Sequence, residues 1–408
     1  MIKTEYLNPN RLIQDKSILK LFDAVENHGG VLRFVGGAVR DVLAGIEGFE
    51  IDLATDLSPD ELVEACQENG LKTVPIGLKY ATTGVIISNK IVEISHLRKT
   101  GSGYKFSSEF DFTDDWSADA SKRDLTINAV YADQRGNVFD YYNGIEDLEN
   151  GIVKFIGNPE DRINEAPIRI MRFFRFYSIF GKNEPHLKSL KACIENKSKL
   201  KEVAIEQIRD ELFKILLTDN MVKTLRYMFE NDVLDYILPM NGKFADLENL
   251  QKIVSAYNIT PDALRRLYIL YQPDSSLAEN LAIRLRLTKK QKSRLTDWSR
   301  FIFNETKIND TAYLTKVCYL FDKDFCIDKV LFTAAKNEHQ KLDISNTIET
   351  IRQINVPEFP LKGKDLINAG LTEYGKIKDI LEKTEKNWIE NNFQDSASVL
   401  LQKAQSMF

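Results

Sequence analysis

This sequence is poor in cysteine, in long apolar runs and in net charge, and each shortage removes a class of function. Its four cysteines, Cys66, Cys193, Cys318 and Cys326, lie far apart with no CxxC pair. That spacing points away from a disulfide framework or a zinc site and fits a reducing cytoplasm. No run approaches the ~18 apolar residues of a membrane span, so no membrane partner is expected. The first residues, MIKTEYLNPNRL, have neither the apolar core of a signal peptide nor the Arg/Ser-rich character of a transit peptide. Net charge is −5, which gives no bulk attraction for a polyanion. Such a partner would have to meet a local basic face.

What remains is a globular chain of 408 residues with 43% hydrophobic content, long enough for two to four modules. Its organising stretch is RFVGGAVRDVLAGIEGFEIDLATD, Arg33 to Asp56. Leu32, Phe34 and Val35 read as a buried strand ended by Gly36-Gly37, where the backbone can turn tightly and approach a ligand. A helix from about Ala38 to Ala44 follows, carrying Arg40 and Asp41. Phe49 to Leu53 then alternates apolar and acidic, the period of a strand with one solvated face. Glu50 and Asp52 would share that face. Two carboxylates beside a phosphate cradle suit two-metal phosphoryl or nucleotidyl transfer. An acidic pair on a wet strand face is also an ordinary solubility feature.

Further along, Ser58-Pro59-Asp60-Glu61 is a helix start with Ser as N-cap and Pro at the first position. Thr82–Ser88 and Lys90–Ile94 read as paired strands, with Glu93 facing either the site of Glu50 and Asp52 or an open sheet edge. Arg98 to Asp119 shows no period and is expected to be a long functional loop. Lys122-Arg123-Asp124 and Thr126-Ile127-Asn128-Ala129 could position a triphosphate and a sugar, or simply begin a helix. Val138 to Leu148 gives a strand and turn, and Ile152–Ile156 a further strand.

Beyond Pro159 the pattern turns helical. Ala166–Phe180 places Arg169, Arg172 and Arg175 at steps of three along one helix surface, with Ile170, Phe173, Phe174 and Phe176 on the other side. Forked guanidiniums at that spacing suit a triphosphate or base edges, although a solvated basic face would look the same. Arg284, Arg286, Lys289 and Lys290 belong to the densest basic run of the second half, which could track a nucleic-acid backbone. Asn355 onward reads as a strand-to-helix entry before a helix over Thr372–Asn391.

Taken together, these segments resemble the class II tRNA nucleotidyltransferase / poly(A) polymerase family, and most closely its bacterial, alphaproteobacterial-type CCA-adding members. The match rests on GGAVRD with the acidic pair, on KRD with TINA, and on Asp140…Gly144…Asp147-Leu148. It also includes the arginine helix and an ERxxxEL-like segment from Glu206 to Leu212. The resemblance implies an α/β head with a polymerase-β-like nucleotidyltransferase sheet (1–155). All-α neck (156–225), body (226–350) and tail (351–408) domains would follow. It implies addition of CCA to tRNA 3′ ends from CTP and ATP without a template, by a monomer or weak homodimer. Gly37 and Arg40 would hold the triphosphate, and Glu50 and Asp52 would carry Mg²⁺ as the catalytic carboxylates. Arg123 and Asp124 would serve nucleotide binding from the head, while Arg169, Arg172 and Arg175 read the base and grip phosphates.

Three positions depart from the family pattern. Glu50 stands where the family has Asp, Ala166 replaces the Asp of Glu-Asp-x-x-Arg, and Gln207 replaces Arg. The Ala166 exchange removes an acceptor for exocyclic amino groups, so base selection is expected to relax, unless Glu165 swings in as a substitute. A poly(A) polymerase and a catalytically weakened tRNA-binding paralogue are the alternatives.

Overall fold

The computed structural model describes residues 7–13, 15–47, 51–77, 82–97, 112–238, 242–336 and 344–407. The chain forms two compact units, Met1–Pro239 and Met240–Phe408.

The first unit is built on strands β1 (Leu32–Val35), β2 (Asp52–Thr55), β3 (Lys72–Gly77), β4 (Thr82–Ile87), β5 (Lys90–His96), β6 (Val130–Ala132) and β7 (Val138–Asp140). They form one sheet in the order β3-β4-β5-β2-β1-β6-β7. All pairs are antiparallel except β2 with β5, which runs parallel and sets Asp52 opposite Glu93. Alternation along the strands divides the core between two faces. Phe34 and Leu53 pack with Leu21, Phe22, Leu62 and Ile94 on one side. Val35 and Ala54 pack with Trp116, Ala120 and Tyr131 on the other. Asp52 has the parity of Ala54 and therefore stands on the Trp116 side. The helix after the glycine turn spans Gly37–Leu43, and Pro59–Glu68 opens on a full Ser58/Glu61 capping box.

From Pro159 the unit is helical: Pro159–Glu165, Arg169–Phe180, Leu187–Glu195, Ile205–Leu216 and Met221–Glu230. The central Arg169–Phe180 helix is tied to the sheet end of the chain by Phe173, whose ring stacks on Phe155 at 5.7 Å.

Three sequence expectations fail here. Ile152–Ile156 is not a strand, for its one β contact among the described residues is an isolated bridge from Leu125 to Phe155. The run instead sets the Phe155 ring against Phe173 of the Arg169–Phe180 helix. Residues 98–111 of the expected long loop lie outside the described residues, but its last part is not loop: Trp116–Ala120 is a helix capped by Asp115, which accepts from Ser117 and Ala118 N–H. Short polar segments of this kind hide their helix because the cap and one buried aromatic, rather than a period, specify it. Finally, no strand forms after Asn355. The chain there runs irregularly into Gly363–Asn368.

Among its described residues the second unit is helical throughout. Tyr268, Trp298 and Phe332 form an aromatic centre with centroids 4.5–5.4 Å apart. Beside it the fully buried Asp328 accepts from Arg265 Nε at 2.5 Å and Arg294 Nη2 at 2.8 Å. Toward the end of the chain Trp388 packs with Leu361 and Leu400, and Leu366, Leu371, Ile380 and Ala404 close a second cluster.

Candidate active site

The first unit holds an open pocket of about 770 Å³ where the glycine turn, the β2 edge, the Arg123–Asn128 segment and the arginine helix meet. Gly36, not Gly37, is the glycine that the turn requires. Its φ of 62° with ψ −119° is a conformation that L side chains avoid. Gly37 begins the helix, and a Cβ there would sit 3.6 Å from Asp52 Oδ2. Its missing side chain therefore keeps the approach to that carboxylate open. Asp52 is exposed at the start of β2, with exposed Glu93 in register on β5. Glu50 lies outside the described residues.

Every arginine of the pocket is tied to a carboxylate. Arg40 is buried, donating from Nε to Asp41 Oδ1 at 2.8 Å and from Nη1 to Asn128 Oδ1 at 2.5 Å. Burial lowers its pKa, and Asp41 works against that fall. Arg123 donates to Tyr131 Oη at 3.1 Å and to Asp119 Oδ2 at 3.3 Å. Burial alone would lower the Arg123 pKa, but Tyr131 and Asp119 raise it overall. Arg172 Nε meets Asp124 Oδ2 at 2.6 Å. Burial raises the Asp124 pKa, but Arg172 and Asn128 outweigh it and bring the carboxyl down to about 2. Arg175 Nη1 donates to Glu211 Oε1 at 3.3 Å, and burial lowers its pKa against the pull of Glu211. With their charges matched in this way, the pocket arginines serve an anion as directed N–H donors more than as a bulk field.

Arg169 is the most constrained of them. Nη1 donates to Glu165 Oε2 at 2.6 Å and to the Arg162 carbonyl at 3.1 Å, while Nη2 donates to the Lys122 carbonyl at 2.8 Å. Its Nε–H and one Nη2–H remain for a ligand, next to the methyl of Ala166 at the pocket wall. Glu165 does not swing in as a substitute acceptor. Its second oxygen meets Arg162 Nη2 at 2.6 Å, so leaving would break two ion pairs.

The sequence also placed Phe176 wrongly. At 100° per residue it falls between Arg172 and Arg169, inside the arginine face and not opposite it, and its ring carries Arg175 at 4.2 Å and Arg40 at 4.7 Å. Asn128, in sequence only one letter of a motif, links two pocket residues: it accepts from Arg40 and donates to Asp124 at 3.0 Å.

Comparison with known proteins gives this pocket its setting. The Poly A polymerase head domain matches residues 32–154, and the probable RNA- and SrmB-binding site of polymerase A matches residues 184–241. Human mitochondrial CCA tRNA nucleotidyltransferase 1 is 31% identical over 395 residues, covering 95% of this chain and 88% of that protein. The chain belongs to the CCA tRNA nucleotidyltransferase family. The CCA-adding enzyme of Ligilactobacillus salivarius is 26% identical over 411 residues, 96% of each chain. In fold, the family member from Bacillus stearothermophilus, solved with CTP, superposes with a TM-score of 0.78 at 20% identity over 98% of both chains. The Thermotoga maritima CCA-adding enzyme, solved with tRNA, gives 0.67 at 19% identity over the full length of both.

The remaining sequence candidates lie in the second unit. Arg284 ends the helix Ser275–Arg284, and Lys289 and Lys290 open Lys289–Arg300. Arg286 stands in the turn between them with φ 47°, and all four side chains are exposed. A larger cleft of about 1040 Å³ in this unit mixes Arg265, Lys290, Arg294, Lys323 and Arg352 with Asp262, Asp297, Asp322 and Asp324. Cations and carboxylates are interspersed there, and nothing in it resembles a nucleotidyl-transfer site. No described helix is long and apolar enough to cross a membrane.

Proposed function

We propose that this chain adds C, C and A to tRNA 3′ ends from CTP and ATP, as a cytoplasmic Mg²⁺-dependent nucleotidyltransferase whose base selection is relaxed. The observation that carries the reading is the convergence, in one pocket, of the Asp52 edge with the arginine face of a neighbouring helix. Four buried free thiols agree with a reducing compartment.

The donor set suits a hard divalent cation. Asp52 offers carboxylate oxygens at the exposed start of a central strand, Glu93 stands in register beside it, and Gly37 leaves the approach clear. Asp52 would hold the ion, with Glu50 and Glu93 as further oxygen donors. When bound, the cation would activate the primer 3′-hydroxyl and offset charge on the departing pyrophosphate. Arg40, Arg172 and Arg175 present guanidinium N–H groups to the triphosphate, and Arg123 orients it from the head. Arg169 donates to base acceptors such as cytosine N3 or adenine N1. With Ala166 beside it, the wall offers a methyl where a carboxylate would accept from the amino groups of cytosine and adenine. The exposed cations of the second unit, Arg284, Arg286, Lys289 and Lys290, engage phosphates of the tRNA backbone.

Primer extension tests this reading on a tRNA transcript lacking its 3′ CCA, with Mg²⁺ and each NTP separately and together. Ordered growth by C, C and A supports it. Long A tails would instead assign a poly(A) polymerase, and retention of tRNA without extension a binding paralogue.

A further inference from the structure

One aromatic side chain holds three of the pocket's cations. The Phe176 centroid lies 4.2 Å from Arg175 Cζ, 4.7 Å from Arg40 Cζ and 5.4 Å from Arg172 Cζ. Phe180 stacks on it with centroids 6.3 Å apart and also carries Arg40, at 5.0 Å. Three like charges around one ring repel each other, and their carboxylate partners do not fix all of them. Arg175 Nε and Glu211 Oε2 lie 3.2 Å apart, yet both are buried and out of hydrogen-bond alignment. One aligned bond, from Nη1 to Glu211 Oε1 at 3.3 Å, therefore holds the edge of Arg175, and the ring beside it takes the face. For Arg40, Asp41 and Asn128 take the guanidinium edge while Phe176 and Phe180 take the face. A ring does what an aliphatic side chain of similar volume would not, because its negative face attracts a cation and its flatness matches a guanidinium plane.

We propose that Phe176 is a positioning residue for the nucleotide, holding Arg40, Arg172 and Arg175 at the spacing that receives a triphosphate. The inference rests on the nucleotidyltransferase reading. It assigns the ring to the phosphates and not to the base.

The test measures equilibrium binding of CTP, ATP, CMP and inorganic tripolyphosphate to the full chain, with steady-state extension alongside. Phe176→Leu should weaken CTP, ATP and tripolyphosphate about tenfold and raise KM to match, with kcat within about threefold and CMP nearly unchanged. Phe176→Tyr, which keeps the ring, should restore triphosphate binding to within about twofold. Equal losses for CMP and CTP would reduce Phe176 to a core side chain, and an unchanged CTP affinity in Phe176→Leu would overturn the proposal outright. Should the leucine variant not fold, Phe176→Met gives the same contrast with a flexible filler. A wild-type chain that binds neither CTP nor ATP would overturn the nucleotidyltransferase reading and this inference with it, whereas wild-type binding with an insensitive variant overturns this inference alone.

Discussion

Arg172 of the arginine helix and Asp124 of the head are joined at 2.6 Å, and the pair continues through Asn128 to Arg40. One chain of charge-assisted hydrogen bonds thus fixes two pocket guanidiniums against each other. Its weak point is Asp124. Burial favours the neutral acid, but Arg172 and Asn128 hold the carboxyl at about 2, below its ordinary 3.8. A folded pKa below the unfolded one stabilises at pH above the unfolded value, and that contribution is lost as pH falls through the folded value. Asp124→Asn should therefore destabilise the first unit by about 2–4 kcal/mol near pH 7. The gap to wild type should close between about pH 4 and pH 2. Urea unfolding of both proteins across that range checks it, and a gap that persists at pH 2 would show that charge is not the cause.

On the proposed reading, base choice turns on Ala166. Because Glu165 is held by Arg162 and Arg169, the slot has gained no replacement carboxylate from that side. Ala166→Asp should raise the ratio of kcat/KM for CTP over UTP by roughly 5- to 150-fold, the worth of about 1–3 kcal/mol of base-edge discrimination. An unmoved ratio would mean that bases are selected elsewhere in the pocket.

Asp52 carries the simplest expectation. Asp52→Asn keeps the shape of the strand edge but removes the charge, so extension should fall by more than about 10³-fold while CTP binding changes little. Comparing single-turnover rates with equilibrium CTP affinity separates the two effects.

The head and its pocket were legible because local chemistry and tertiary placement agree there. Gly36-Gly37, the Ser58 cap and the Arg169–Arg175 spacing each state their structure within a few residues. Phe176 was misplaced for a different reason. A helical period sorts residues into faces, but a ring inside a polar face reads as a core residue until Arg40, 136 positions earlier in the chain, is seen to lie over it. Ile152–Ile156 failed because its apolar pattern is that of a strand, while its partner is a single bridge and an aromatic stack with Phe173. Glu165 could not be judged from its neighbours in sequence alone, since its mobility depends on the ion pairs with Arg162 and Arg169 that folding forms.

Lys329 in the second unit offers a test of stability. It is buried, donates to the Trp298 carbonyl at 2.9 Å, and desolvation lowers its pKa to about 8 from 10.5. Here too the folded pKa lies below the unfolded one, so the charging penalty is full below pH 8 and relaxes as pH rises toward 10.5. Lys329→Met should stabilise the second unit by about 1–3 kcal/mol at pH 7. The Trp298 carbonyl keeps its bond from Tyr268 Oη at 3.1 Å. The advantage should shrink above pH 8 in thermal unfolding. A variant less stable at every pH would instead show that the lysine hydrogen bond outweighs the cost of burying the charge.

The basic turn of the second unit sets binding against stability. Arg286 occupies the left-handed C′ position of a Schellman motif: its N–H bonds to the Ile283 carbonyl, and Leu287 N–H bonds to the Ala282 carbonyl. Glycine is the residue that adopts this conformation without strain, and an L side chain there costs about 1 kcal/mol. Next in the chain, Lys289 and Lys290 open a capped helix whose first turn carries no acid. Cations at that end oppose the helix dipole by about 0.3–1 kcal/mol each. Both choices carry a local backbone or dipole cost, and both add exposed charge to one turn, which suits an interface with phosphates. Arg286→Gly combined with Lys289→Gln and Lys290→Gln should therefore raise the unfolding midpoint while weakening tRNA binding. The slope of log affinity against log salt should drop by about one unit for each phosphate no longer neutralised, roughly three in all. Filter binding of tRNA across a KCl series, with calorimetry on the same protein, measures both quantities. A more stable variant with an unchanged salt slope would move the RNA interface away from this turn.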